Sequence, residues 1–319
     1  MNPIAARDLL SRYLLRTRLV EATSFADVAK AAVYLKMESD LPTGSFKVRG
    51  AIHALSVNMA RGRLKEVVAS STGNHGAAVA YAARLLGVRA TIVLPANPNP
   101  VKRANIARLG ATIVAEGTDL SEAFSIANAH SQRTGAFFLN DATDADIPDG
   151  AGTIAGEILE QCPDVNAIYV PVGDTALIRG IAARAKELKP SVRIIGIQAA
   201  RAPSYWQSWR SGIATPTDSA DTIADGLATR TPVAENVARI RALVDDMRLV
   251  TEDAMIAAVG RLLLKEHIVA EPSGAATTAA LTNELKLRPL GLDGPVVLLV
   301  TGCNIPPAIL RKAVGAAVD

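Results

Sequence analysis

"SSTGNHGAAVAYAARLLG", residues 70–87, joins the end of the apolar run Val67–Ser70 to an alanine-rich segment of helical period through a short polar turn. A strand that passes through such a turn straight into a helix is the unit from which parallel α/β sheets are built. The same order recurs in "YVPVGDTALIRG", residues 169–180. Working outward, short β-branched or apolar runs predict strands at 33–37, 67–70, 90–94, 112–114, 136–139, 167–172, 192–197 and 296–300. Segments of helical period at 75–86, 101–109, 120–134, 153–161, 177–188, 251–266 and 273–285 alternate with them, several with capping residues at their starts. The fold class is α/β with mainly parallel sheets.

A chain of 319 residues exceeds a single small core. We expect a large domain of residues 1–50 and 142–319, with a smaller domain, 51–141, inserted in it. About half the residues are apolar and the net charge is only +3, so the chain can bury a core and carries no basic stripe for nucleic acid. The N-terminal stretch alternates charges with leucines, unlike a signal peptide, and no run suits a membrane span. Cys162 and Cys303 fit free thiols in a reducing cytoplasm. The four histidines show no metal-ligand spacing.

Chemistry concentrates in five stretches. In 70–87, Ser71, Thr72, Gly73, Asn74 and His75 stand at a helix N-terminus, where unpaired N–H groups and the helix dipole can grip a carboxylate; taken alone, the stretch is equally a capped helix with a glycine turn. In 169–180, the backbone of Gly173, Asp174, Thr175, Ala176 and Leu177 could cradle a phosphate, although by itself this is also a plain strand-to-helix connection without a P-loop or GxGxxG pattern. "SFKVRGA", residues 45–51, sets Lys47 beside Phe46, with the small Gly50 and Ala51 behind it. "VAEPSGAATTAAL", 269–281, places Glu271 before a helix start, and "VVLLVTGCN", 296–304, ends a buried strand in the neutral Thr301. All but "SFKVRGA" follow a predicted strand or open a helix, and ligands of parallel sheets sit at the carboxyl ends of strands. A lysine, an anion grip, a phosphate cradle and a neutral hydrogen-bonding group are the parts that hold pyridoxal 5'-phosphate.

On these residues the chain resembles the fold type II pyridoxal-phosphate enzymes of the threonine/serine dehydratase and serine racemase group, from about Leu10 onward, and is close in style to the hydroxyectoine-utilization dehydratases. The resemblance implies a two-domain, tryptophan synthase β-like fold. It also implies that Lys47 in "PTGSFKVRGA" bonds to the cofactor, with Phe46 beside the pyridine ring. "STGNHG" is similar to the substrate-carboxylate loop, with Asn74 also reaching the cofactor and Thr72 counted with Lys47 among the catalytic residues. "PVGDTALIRG" stands at the phosphate, Gly226 of "TIADGLA" lies near the ring, and Glu271 and Thr301 contribute from "VAEPSGA" and "VTGCN".

The implied reaction is removal of the α-proton by Lys47 and loss of a β-hydroxyl, giving a 2-keto acid and ammonia. Burial and the Arg49 charge are expected to favour the neutral Lys47 amine. A neutral Thr301 opposite the pyridine nitrogen makes a milder electron sink, which favours elimination. Racemisation, β-replacement of the threonine synthase kind and a non-catalytic cofactor-binding role remain as alternatives. Two departures stand out. Asp174 brings a negative charge to the phosphate turn and is expected to cap the following helix instead, and Gln198, Ala202 and Ser204 occupy positions where some relatives carry acidic cation ligands, so no metal is expected. The chain also stops soon after "VTGCN", which leaves no room for an appended regulatory domain. The expected partners are a small amino-acid substrate and a second copy of the chain in a homodimer.

Overall fold

The computed structural model describes residues 3–62, 64–71, 73–96, 100–287 and 294–318. The chain divides into two compact units, Met1–Leu14 with Ser45–Ala151 and Leu15–Gly44 with Gly152–Asp319. In chain order the strands are β1 (Leu19–Glu21), β2 (Val33–Met37), β3 (Glu66–Ser70), β4 (Arg89–Leu94), β5 (Thr112–Ala115), β6 (Phe137–Phe138), β7 (Ala167–Pro171), β8 (Arg193–Ala199), β9 (Asp246–Val250) and β10 (Val296–Val300). The first unit holds a parallel four-stranded sheet in the order β5-β4-β3-β6. The second holds a six-stranded sheet in the order β1-β2-β10-β7-β8-β9, parallel except where β1 adds antiparallel to β2. Both are flanked by helices, so the expected α/β class is the observed one. Among the described residues no helix is long and apolar enough to cross a membrane.

The central strands of the second unit are continuous apolar runs because parallel strands are covered on both faces. Every residue of β7 and β10 is buried. β2 interrupts its apolar run with Lys36, which is wholly buried; its Nζ donates to Glu157 Oε2 (2.6 Å), Gln161 Oε1 (2.8 Å) and the Thr17 carbonyl (2.9 Å). Three acceptors for three donors make burial of this charge tolerable.

Two glycines explain the small residues behind Lys47. The helix Lys47–Ala60 packs in the first unit on the opening turn of the helix Ile147–Gln161. A Cβ on Gly150 would stand 2.5 Å from the Arg49 carbonyl oxygen, and one on Gly50 would stand 2.7 Å from Ile147 Cγ2. The two backbones therefore approach more closely than side chains allow. We expect Gly150→Ala, which meets backbone, to cost about 1–3 kcal/mol of stability, and Gly50→Ala, which meets a side-chain methyl, to cost less. Thermal melting of the two variants checks this order; an unchanged melting temperature for Gly150→Ala would mean that the contact yields.

Candidate active site

In the first unit, Lys47 is the first residue of its helix, and its Nζ lies 5.3 Å from the centre of the Phe46 ring, a cation–π distance. The same Nζ forms an ion pair with Asp141 Oδ2 at 2.7 Å. Asp141 follows β6 in a turn folded by Asn140, whose Oδ1 accepts from Ala142 N (3.0 Å) and whose carbonyl accepts from Asp144 N (2.9 Å). A carboxylate this close favours the ammonium form of lysine, the opposite of the effect expected from Arg49. The charge nearest to Nζ among these contacts is negative, and the sequence gave no hint of it.

The turn after β3 leads into the helix Asn74–Leu86 with Gly73 at its N-cap. Ser71 Oγ accepts from Gly73 N at 3.2 Å, and a Cβ on Gly76 would lie 2.4 Å from the Ser71 carbonyl oxygen, so the turn folds down onto the first helical turn. Thr72 lies outside the described residues. The His75 ring is buried; Nε2 lies 3.0 Å from the Leu139 carbonyl oxygen, and Nδ1 lies 3.6 Å from Asp141 Oδ2. Burial raises the carboxyl pKa of Asp144, in the same turn, while two backbone N–H bonds, from Asp146 and Ile147, oppose the shift.

In the second unit, β7 ends in a turn that enters the helix Ala176–Leu188. Thr175 adopts φ +77°, a left-handed conformation rare for a β-branched residue. Its buried Oγ1 accepts from Arg179 Nε at 3.1 Å. Burial pushes the Arg179 guanidinium below its ordinary range, with the Asp174 charge pulling the other way. Asp174 Oδ1 accepts from Ala176 N at 2.8 Å, so its carboxylate satisfies an N–H at the helix start. The N–H groups of Leu177 and Ile178 have no acceptor within a helix that begins at Ala176.

Other segments of this unit close on that turn. A Cβ on Gly173 would sit 2.0 Å from the Gly226 carbonyl oxygen, and Gly226 N donates to Ser273 Oγ at 3.0 Å. A Cβ on Gly274 would lie 2.5 Å from the Gly302 carbonyl oxygen, to which Glu271 N lies within 3.0 Å. Gly173, Gly226 and Ser273 thus come together, while Glu271 and Gly274 meet the end of β10, just past the buried Thr301. Glycine backbone packed this tightly, a helix N-terminus and a neutral hydroxyl fit a phosphate and a pyridine ring, and the lysine of the first unit fits an aldehyde. The sequence reading missed Asp141, Arg179 and Ser273. Of these, Asp141 carried a signal, since it stands two residues beyond a predicted strand.

The positions read as a lost cation site are engaged otherwise. Gln198 Oε1 accepts from Trp206 N at 2.8 Å, Ser204 Oγ donates to the Thr229 carbonyl at 2.6 Å, and Ala202 is fully buried.

Comparison with known proteins places this arrangement. Residues 10–302 match the family described as "Pyridoxal-phosphate dependent enzyme", and the chain belongs to that family. It is 36% identical over 309 residues to an L-threonine ammonia-lyase of Thermotoga maritima, covering 97% of this chain and 76% of that one. It is 32% identical over 312 residues to the catabolic L-threonine dehydratase of Escherichia coli K12, covering 98% and 94%. Among solved structures it is similar to maize serine racemase, with a TM-score of 0.91 and 30% identity over 99% of this chain and 96% of that one. A processed threonine deaminase from Solanum lycopersicum gives a TM-score of 0.92 at 29% identity, over 99% and 86%.

Two outcomes follow for the second unit. Thr175→Val removes an acceptor from a buried guanidinium and should cost about 1–3 kcal/mol of stability, whereas Asp174→Asn, which keeps Oδ1, should cost less than about 1 kcal/mol; melting curves give the order, and the reverse order would refute this account of the turn. Melting temperature and activity should also be indifferent to chelators and to added magnesium or calcium, because an ion that bound the folded chain would raise its stability by mass action.

Proposed function

We propose that the protein is a pyridoxal-phosphate-dependent ammonia-lyase that eliminates the β-hydroxyl of a small threonine- or serine-like amino acid, giving a 2-keto acid and ammonia. The observation that carries this reading is similarity over nearly all of this chain to an L-threonine ammonia-lyase and a catabolic L-threonine dehydratase, at 36% and 32% identity. The lysine of "SFKVRGA" and the glycine-built turns support it residue by residue.

When bound, pyridoxal phosphate supplies the electron sink that makes the substrate α-proton acidic. On this reading Lys47 holds the cofactor's aldehyde carbon, and Phe46 packs beside the ring. The N–H groups of the turn from Gly173 to Leu177, apart from that of Ala176, which Asp174 engages, would hold the phosphate, with Arg179 adding positive charge behind Thr175. Gly226 gives the ring room, while Glu271 and Thr301 bound it, the Thr301 hydroxyl serving the pyridine nitrogen. Ser71, Thr72, Gly73 and Asn74 orient the substrate carboxylate by backbone and side-chain donors. His75, buried and turned to Leu139 and Asp141, contributes through its backbone N–H. Lys47 Nζ takes the proton from the substrate α-carbon. The reading includes a cytoplasmic setting, which suits the two free cysteines, and a homodimer.

Borohydride reduction followed by peptide mapping should leave the pyridoxyl group on Lys47, and Lys47→Ala should lower turnover at least about a hundredfold. A panel of threonine, serine, 3-hydroxyaspartate and diaminobutyrate derivatives, assayed for keto acid, ammonia and enantiomer ratio, tests the reaction. Inversion of the α-carbon without ammonia would replace the lyase by a racemase, the activity named for the maize structure.

A further inference from the structure

Lys47, Asp141 and His75 form a line in the first unit: Nζ to Oδ2 at 2.7 Å, then Oδ2 to Nδ1 at 3.6 Å. The far ring nitrogen, Nε2, faces the Leu139 carbonyl at 3.0 Å. A carbonyl can only accept, so this contact assigns the ring hydrogen to Nε2, and the neutral ring then presents an unprotonated Nδ1 to the carboxylate. Two acceptors facing each other are complementary only once a proton lies between them. The Lys47 ammonium brings a proton to the same carboxylate oxygen. Yet an ammonium is neither a nucleophile nor a base, so a lysine with the role assigned to Lys47 must first shed that proton.

We propose that Asp141 is the proton partner of Lys47: whenever the lysine is free of the cofactor it holds the ammonium and, when the amine is needed, passes the proton to His75 Nδ1. The proposal rests on the assignment of Lys47 as the cofactor-bearing lysine. In the transfer an N–H bond of Lys47 breaks, Asp141 Oδ2 takes up the proton and releases it, and an Nδ1–H bond forms. Ammonium, carboxylate and neutral imidazole become amine, carboxylate and imidazolium. The total charge is unchanged and no further reactant is required. Removal of a substrate proton by Lys47 reverses the lysine's share of this exchange.

The surrounding groups allow it. Asp144 faces His75 from the turn before the helix Ile147–Gln161, and its Oδ1 is already bonded to two backbone N–H groups. Asp146 is engaged by Arg61 through its carboxylate and by His53 through its carbonyl. Arg49, two positions beyond Lys47, is buried. Asp141 is therefore placed to govern the lysine's proton from one side, with His75 as the basic group behind it.

The test uses the full chain freed of cofactor, with Lys47 acylated by trace acetic anhydride across a pH series and the label quantified by peptide mapping. Because the carboxylate favours the ammonium, Asp141→Asn should lower the midpoint of Lys47 labelling by about one pH unit or more. Asp141→Glu should bring it back toward the natural value, which separates charge from a folding defect. A midpoint unmoved by Asp141→Asn in a protein with a normal melting temperature would overturn the proposal. His75→Gln keeps an N–H for Leu139 and lacks the basic nitrogen. In the loaded enzyme it should lower kcat by about tenfold or more with KM within about threefold, and an unchanged kcat would remove His75 from the path. The labelling profile involves no substrate, so it stands or falls separately from the assigned reaction.

Discussion

The contact on which the first unit depends is one between backbones. The Arg49 carbonyl lies where a Cβ of residue 150 would be, and Ile147 lies where a Cβ of residue 50 would be. Glycine at 150 lets it meet the backbone of Arg49 and glycine at 50 makes room for Ile147, and the helix so fixed begins with Lys47. A lysine has four rotatable bonds, so its amine is placed only as well as its helix start and its terminal partner allow. The glycine contact supplies the first constraint, and Asp141 supplies the second.

The second unit uses the same device. Gly173 against the Gly226 carbonyl, Gly226 against Ser273 and Gly274 against the Gly302 carbonyl draw three segments together by main-chain contact. Thr175 accepts a left-handed conformation there, and its hydroxyl is tied to Arg179. Strain of this kind persists only where neighbours over-determine it. The carboxylate of Asp174 is compatible with an anion-binding turn because it is spent on the helix N–H of Ala176.

Three cations, two of them buried and one partly buried, have partners that the structure names. Lys36 has three acceptors, Arg179 has Thr175, and Lys47 has Asp141. The first two lock structure. The third differs in that its partner oxygen also faces the His75 ring.

Much of this was legible in the chain. β2, β7 and β10 read directly because strands covered on both faces must be apolar throughout. The turns after β3 and β7 read because a polar break between a strand and a helix has few structural alternatives. β1 and β9 did not: one is three residues long, and the other, DMRLV, is an edge strand with only two buried positions, so neither shows an apolar run. The helix Ile147–Gln161 was expected only from residue 153, and its first two turns hold Pro148, Gly150 and Gly152. Proline is tolerated in the first helical turn, and Gly150 is there for the helix it touches. Sequence by itself determined the α/β class and the cofactor class, because these rest on local periodicity and on ordered motifs. Tertiary structure decided that Asp141, 94 residues away, meets Lys47, that Thr175 meets Arg179, and that Gly173 meets Gly226. Such pairings depend on how elements pack, and no local pattern of residues encodes which distant side chain will arrive.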